Sequence, residues 1–269
     1  MKVRIKFKKY GVLRFIGHLD VMRHFQKMMR RAEIPIAFTG GYSPHMIMSF
    51  ASPLGIGLTS DGEYADIELS APVQSEEAIR RLNAVAADGI EIVSFRQISE
   101  EKKMTGMAIV AAADYLVCDR ECMTCFGEHT FLKHAASGIE EEPGTCQAAA
   151  TKASPFFENW EDYLTQFAAQ EEICVRKQTK RSEANVDIRP MIYRLEAREN
   201  AIYMQLAAGS VKNLKPNLVM DAFFTFAKAQ KNQEVSVPLA CHRLELYADM
   251  GNETEQNLVT LESLGEAIK

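Results

Sequence analysis

The sequence predicts an α+β protein with two domains in tandem, and three observations lead to this prediction. The 269 residues are 47% hydrophobic and 25% charged, a globular composition with enough apolar residues for two cores. Segments with alternating apolar residues, typical of half-buried strands, are interleaved with segments that carry an apolar stripe at helical spacing. This succession of segments occurs twice along the chain.

The first domain is predicted over residues 1–105, where each element has a clear period and a clear stop. Val3, Ile5 and Phe7 alternate with basic residues in the first strand, and Pro35 ends the helix that follows. The predicted strands cover residues 3–8, 36–38, 63–70 and 90–98, and the predicted helices cover residues 19–33 and 75–89. The order β-α-β-β-α-β is that of a ferredoxin-like domain.

A looser version of the same order is predicted over residues 106–250. The predicted strands cover residues 111–117, 172–178, 191–198, 201–207 and 239–247, and the predicted helices cover residues 155–170 and 215–228. An insertion at about residues 119–154 separates the first strand from the first helix, and the acidic residues 251–269 are expected to form a frayed tail. The sequence therefore predicts two tandem ferredoxin-like domains, the second with an insertion.

Charge is unevenly distributed along the chain. The whole sequence has a net charge of −5, but residues 1–50 hold ten Lys and Arg residues against only Asp20 and Glu33, a net of +8. A basic region on an acidic protein indicates a local anionic partner such as nucleic acid, with a merely solvated surface as the alternative.

Other features of the composition concern the expected location of the protein. No apolar run approaches the roughly 20 residues that cross a bilayer, so no membrane partner is expected. The N-terminal residues are basic but lack the apolar core of a signal peptide. We therefore expect a cytoplasmic protein whose six cysteines are free thiols rather than a disulfide framework.

Three stretches of the sequence resemble a known family. They read LRFIGHLDVMRHFQKMMRRAEIPIAFTGGYSPHMIMSFASPLGIGLTSDGEY, KQTKRSEANVDIRPMI and KPNLV. These segments resemble the radical-SAM-linked family of uncharacterised bacterial proteins, a domain found beside or fused to radical S-adenosylmethionine (SAM) enzymes. The resemblance covers most of the chain, with the insertion as the main departure. It implies a radical SAM enzyme as a partner and no established activity for this chain.

The first candidate site lies at the start of the predicted helix 19–33. A helix N-terminus with added cations suits a phosphate group. The alternative is structural, because Asp20 suits the helix start and pairs with Arg23 three residues on. The candidates for binding RNA or another anion in this region are Arg14, His18, Asp20, Arg23, Lys27, Arg30 and Arg31.

The second candidate site is the loop of residues 40–49, which offers His45 at its tip. Paired glycines and Pro44 suit a shaped turn, and long ordered loops often carry function. A histidine such as His45 suits anion binding or acid–base chemistry. No nucleophile or second carboxylate accompanies it in the sequence, and a structural crossover between two strands is the alternative.

A dense basic run begins at the end of the predicted strand 172–178 and continues beyond it. Such a run suits contact with the phosphates of an RNA backbone, although a basic hairpin is often merely solvated. Asp187 and Arg189, placed just before Pro190, predict a fixed turn that serves either a ligand or the junction of the two domains. The anion-binding candidates in this second group are Arg176, Lys177, Lys180, Arg181 and Arg189.

Cysteines in the predicted insertion raise the question of a metal. The spacing Cys118-x3-Cys122-x2-Cys125 is that of the four-iron cluster in radical SAM enzymes, but the chain lacks any resemblance to their barrel. A structural zinc or cluster site completed by Cys146, His129 or His134 is the alternative, and only one tight cysteine pair supports it. We therefore expect no metal at Cys118, Cys122, Cys125 and Cys146, and no cofactor.

These patterns favour an accessory RNA-binding subunit that presents substrate to a partner radical SAM enzyme. The aromatic signature of RRM domains is missing, which weakens the analogy with ferredoxin-like RNA binders. Two alternatives stay open. The protein is either an RNA-processing or RNA-modifying enzyme that uses His18 or His45 with Asp20, or a protein-interaction adaptor without nucleic acid.

Overall fold

The computed structural model describes residues 1–120, 156–178, 183–231, 237–252 and 255–269. The strands are β1 (Lys2–Lys9), β2 (Met48–Phe50), β3 (Thr59–Glu68), β4 (Ile90–Gln97), β5 (Val110–Asp119), β6 (Cys174–Gln178), β7 (Glu183–Asp187), β8 (Ile192–Arg198), β9 (Ala201–Ala207), β10 (Leu239–Asp249), β11 (Leu258–Thr260) and β12 (Glu266–Ala267). The helices are α1 (His18–Arg31), α2 (Ser75–Val85), α3 (Gly106–Ile109), α4 (Trp160–Ala168) and α5 (Pro216–Lys231). Short 3-10 helices cover Gly11–Phe15, Lys102–Met104, Arg189–Met191 and Leu261–Leu264. These elements confirm the predicted α+β class. Among the described residues, no helix is both long and apolar enough to span a membrane.

The chain divides into two compact units. The first comprises Met1–Ala113, Ala208–Lys212 and Arg243–Lys269. The second comprises Asp114–Ala207 and Asn213–His242. Each unit is therefore assembled from segments that lie far apart in the sequence.

The sheet of the first unit has β1 near its centre. Its strand order is β12-β4-β1-β3-β10, where β10 contributes its residues from Arg243 onward, and β2 pairs with β3. Strand β1 is antiparallel to both β3 and β4, with Arg4 opposite Asp66 on one side and Arg96 on the other. The apolar and basic residues that alternate over residues 3–8 therefore point to opposite faces of a strand inside the sheet.

One face of this sheet packs against α1 and α2. Val3, Ile5 and Phe7 are buried there together with Phe25 and Met28 of α1. Burying side chains of this kind stabilises the fold by about 1.5–3 kcal/mol each. Leu19, in the first turn of α1, is 59% exposed, whereas the buried residues of this helix are Val21, Phe25, Met28 and Met29.

The second unit has its own hydrophobic core and a further set of paired strands. The strand order is β10-β5-β9-β8, and β6 and β7 form a separate antiparallel pair. Aromatic rings of α4 and α5 fill the core, with Phe167 and Phe223 5.6 Å apart and Trp160 buried. Strand β7 was not among the predicted elements, although Ala184 and Val186 alternate with polar residues along its five residues, EANVD.

The C-terminal segment is an ordered part of the first unit, so the prediction of a frayed tail is wrong. Leu261 is completely buried, and β12 pairs with β4. The backbone N–H of Ile268 donates to the Ser75 hydroxyl, and its carbonyl accepts from the Ser75 N–H. This acidic segment forms three short elements, and each is only two to four residues long, too short to give a periodic signal in the sequence.

Candidate functional site

Helix α1 carries a line of cations on its exposed face. Arg23, Lys27 and Arg30 follow one another at intervals of four and three residues, which places them on one side of the helix over about 10 Å. We refer to these three residues as the cationic stripe. All three side chains are exposed, and the neighbouring Arg31 is exposed as well.

Few acidic side chains form ion pairs with the cationic stripe. Arg23 lies 3.2 Å from Asp20, and both side chains are more than half exposed, so the predicted structural pairing is present. Within the described part of the chain, Lys27, Arg30 and Arg31 form no salt bridge with an acid. An exposed pair such as Asp20–Arg23 contributes only about 0.2–1 kcal/mol, so it leaves Arg23 available to another anion.

The 3-10 helix Gly11–Phe15 and the loop that contains Gly57 meet near the start of α1. Arg14 lies in the 3-10 helix Gly11–Phe15 with its guanidinium 4.6 Å from the Phe15 ring centroid, and its carbonyl accepts from the Gly57 N–H. His18 is the first residue of α1, and its ring packs edge to face on Phe50 at 5.1 Å. The geometry therefore gives His18 a packing role in the first turn.

Exposed apolar side chains surround this meeting point. Phe15 is 61% exposed, and Ile56 lies against Gly17, with its Cδ1 3.9 Å from where a Cβ of that glycine would be. We refer to this group as the apolar surface; its exposed side chains are those of Val12, Phe15, Leu19 and Ile56. Leu19 precedes Arg23 by four residues, so it continues the line of the cationic stripe towards the helix start.

Two buried cations, Arg243 and Lys9, each hold a chain segment near the start of α1. Arg243 donates to both carboxylate oxygens of Glu63, at 2.7 and 2.5 Å, and to the carbonyl of Ser52 at 2.6 Å. Lys9 is only 2% exposed and donates to the carbonyl of Ile16 at 3.2 Å. Burial lowers the pKa of Lys9; the Arg243 charge adds to the shift, and the Glu63 charge opposes it. Each buried cation thus fixes one surface segment through a backbone carbonyl.

A second buried network lies on the opposite face of β1. Arg4 pairs with both carboxylate oxygens of Asp66 at 2.8 and 2.9 Å. Lys6 lies 2.7 Å from Glu245 and 3.1 Å from Glu262. Burial alone lowers the pKa of Lys6, but these two acids outweigh burial and raise it above its ordinary value.

This network corrects the estimate of surface charge made from the sequence. Arg4, Lys6 and Lys9 belong to the ten cations of residues 1–50, but they point into the fold and face acids from distant segments. The +8 count therefore overstates the basic surface. The available signal was the alternation of Arg4 and Lys6 with apolar residues in a strand that lies at the centre of a sheet.

His45 lies at the exposed tip of a hairpin formed by residues 37–47. The N–H of Ile47 donates to the Ala37 carbonyl, and the Thr39 N–H donates to the His45 carbonyl, both at 2.9 Å. The His45 Nδ1 lies 3.0 Å from the Thr39 hydroxyl and 3.5 Å from the Ser43 carbonyl. Neither partner is a carboxylate, so this geometry gives no specific support to acid–base catalysis by His45.

The second basic group lies in the second unit. Arg176 is exposed in β6, and Lys177 is a residue of the same strand. Arg189 instead donates to the carbonyls of Gln170 and Ile192 at 3.1 and 3.0 Å. The Asp187 carboxylate accepts from the backbone N–H groups of Ile173 and Arg189, which fixes the turn before Pro190. Lys180 and Arg181 lie outside the described residues.

The cysteines predicted not to hold metal are only partly described. Cys118 is buried in β5, whereas Cys122, Cys125 and Cys146 lie outside the described residues. Among the residues that the structure does describe, no cluster of three His, Cys, Asp or Glu side chains is placed to hold a metal ion. The expected absence of metal in the insertion stays a prediction.

The fold and the site define an α+β protein with an exposed line of cations on a helix whose other face is buried in the core. The chain belongs to a family of uncharacterised proteins conserved in bacteria, DUF2344, which matches residues 2–216. The match includes the cationic stripe, the apolar surface and most of the first unit. A comparison with curated proteins finds no match.

Proposed function

We propose that the protein is an accessory RNA-binding subunit that presents its substrate to a partner radical SAM enzyme. The observation that carries the RNA-binding part is the cationic stripe, whose exposed side chains face solvent on a helix fixed by its buried side. A polymer with regularly spaced phosphates is the anion that such a line of cations suits. The partner enzyme is proposed from the sequence resemblance rather than from the geometry.

The stripe also sets the expected strength of the salt dependence. The logarithm of the affinity for a single strand falls with the logarithm of the salt concentration by about 0.7 for each phosphate contacted. Three contacts, one for each stripe residue, therefore correspond to a slope of about −2. Binding that depends on apolar contacts alone would be nearly insensitive to salt.

The test compares two variants with the same change in charge. Arg23, Lys27 and Arg30 are changed together to Glu, and the control changes Arg80, Lys102 and Lys103, which are exposed cations outside α1. Binding of the full chain to RNA is measured by fluorescence anisotropy at several salt concentrations. We expect the stripe variant to lose at least about tenfold in affinity and most of the salt slope. An equal loss in the control would show that only net charge matters and would refute the assigned surface.

The partner is tested by affinity capture of the tagged protein from its native cells, with and without nuclease. The proposal expects a radical SAM enzyme and a defined RNA to be recovered together, with the RNA lost in the stripe variant. Recovery of the enzyme without enriched RNA would favour the adaptor alternative. The apolar surface is the specific observation that supports this second candidate function, because exposed apolar groups often mark protein contacts.

We also infer that each unit is a ferredoxin-like domain. In the first unit, the order β4-β1-β3 with β2 beside β3 supports this inference. In the second unit, the order β10-β5-β9-β8 supports it, with the β6–β7 hairpin as an addition. Both orders are what a βαββαβ chain gives when its first strand lies between the third and the fourth.

A further inference from the structure

We propose that the nucleic acid bound here is single-stranded, and that one unpaired base stacks on Phe15 at the end of the cationic stripe. This inference rests on the proposed RNA-binding function and specifies its substrate. The feature behind it is the position of Leu19, which belongs to the apolar surface and lies on the same side of α1 as the cationic stripe, four residues before Arg23.

The two surfaces suit different parts of one polymer. Arg23, Lys27 and Arg30 suit phosphates, whereas Phe15 and Leu19 offer apolar area with no group that binds an anion. A nucleotide chain carries both kinds of group, since each phosphate is followed by a base with an apolar face. From Leu19 to Arg30 the helix rises by about 16 Å, enough for a short run of nucleotides.

Phe15 has the surroundings of a stacking platform. Phe15 is 61% exposed, and the Arg14 guanidinium lies over its ring, 4.6 Å from the centroid, so a base would stack on the opposite face. An aromatic ring with an adjacent guanidinium binds bases through stacking and cation–π attraction, with little preference among the four bases. Val12 and Ile56 add exposed apolar area on neighbouring segments.

The platform is held in place before any ligand arrives. The N–H of Tyr10 donates to the Gly89 carbonyl at 2.9 Å, and the N–H of Gly57 donates to the Arg14 carbonyl at 2.8 Å. Gly89 has a φ of +97°, and a Cβ there would lie 2.7 Å from the Tyr10 carbonyl, so the contact requires glycine. Lys9 fixes the other end through Ile16. A fixed platform loses less conformational entropy on binding.

The same features argue against a duplex as the ligand. In an A-form helix the base faces are stacked internally, and proteins reach mainly phosphates, 2′-hydroxyls and the shallow groove. A protruding phenylalanine gains nothing from such a surface. An unpaired base in a loop or a free strand presents its face to Phe15 while its phosphates reach the stripe.

The test uses the full chain and two labelled probes, an oligouridylate of about 12 nucleotides and an RNA duplex of the same length. Variants at Phe15 are F15A, which removes the ring, and F15Y, which keeps it; V211A is the control for an exposed apolar residue outside the apolar surface. We expect F15A to weaken binding of the single strand at least about fivefold, the lower end for losing one base–aromatic stack. F15Y and V211A should change it less than about twofold.

The two probes and the salt series separate this inference from the proposed function. F15A should leave the salt slope and the duplex affinity unchanged, because phosphate contacts are retained. If the stripe variant loses RNA but F15A binds both probes like the wild type, RNA binding stands and the stacking inference fails. If F15A loses the radical SAM partner and keeps the single strand, the apolar surface is a protein-docking site and the inference fails. If the wild type binds neither probe, both proposals fail.

Discussion

Changing Asp66 to Asn should destabilise the first unit far more than the same change at Asp20. Asp66 accepts two hydrogen bonds from the buried Arg4 and a third from the Gly106 N–H at 2.7 Å. Arg4 in turn donates to the carbonyls of Met104 and Leu261. One carboxylate therefore joins β1 and β3 to two segments distant in sequence.

The magnitude follows from the charge that the substitution leaves behind. An amide at position 66 keeps the shape but removes the negative charge, so the Arg4 guanidinium, 2% exposed, loses its counter-ion. Removing one partner of a buried pair costs about 3–5 kcal/mol. The exposed Asp20 pairs with Arg23 at 3.2 Å, and the loss of such a contact amounts to about 0.2–1 kcal/mol.

The two variants are compared by thermal unfolding and by hydrogen exchange of the full chain. A loss of 3–5 kcal/mol lowers the melting temperature of a domain of this size by roughly 6–20 °C. D66N should also accelerate exchange in the segment around Leu261, whose carbonyl accepts from Arg4. A D66N melting temperature within about 2 °C of the D20N value would contradict the assignment of Arg4–Asp66 as a structural pair.

Two other changes have defined outcomes. G62A should destabilise the first unit by about 1–3 kcal/mol in urea unfolding, because its Cβ would lie 2.6 Å from the Leu244 carbonyl; G40A, with open space, should not. Burial lowers the pKa of His24 from its ordinary 6.5, and Arg31 adds to the shift, so the unfolded chain binds a proton first as the pH falls. Stability should therefore decrease below about pH 6.5 and down to the folded pKa, and H24Q should flatten this part of the pH profile; an unchanged profile would show that His24 is not responsible.

The elements that the sequence predicted best are those with long amphipathic patterns. Helix α1 and strand β4 start and end within two residues of their predictions, and β9 coincides with its predicted range. The strand predicted at residues 63–70 begins earlier, at Thr59, because its first residues are small or acidic and pair through the backbone with β1. Backbone pairing leaves no periodic signal in such residues.

The candidate site was predicted only in its exposed part. The residues of the cationic stripe were identified because helical spacing separates them from the apolar face of α1. The role of Lys9 was not, since the charges that act on it, those of Glu63 and Arg243, lie more than 50 and 230 residues away in the sequence. From the sequence alone, a lysine in an N-terminal strand is expected to lie on the surface. Its burial can be inferred only when the neighbouring strands of the sheet are known.

Two buried cations hold the segments beside the exposed surface, and one of them, Arg243, lies 191 residues from the carbonyl of Ser52 that it contacts. A buried ion pair adds little net stability compared with an apolar pair of similar volume. Lys9 and Arg243 instead fix the position of the backbone near the start of α1, because each donates a hydrogen bond to one backbone carbonyl there. Arg243 lies beyond residues 2–216, the part of the chain that matches the family. The position of the N-terminal motif that resembles the family thus depends on a residue outside the matched part, and a truncated chain that lacks β10 would expose Glu63 without its counter-ion.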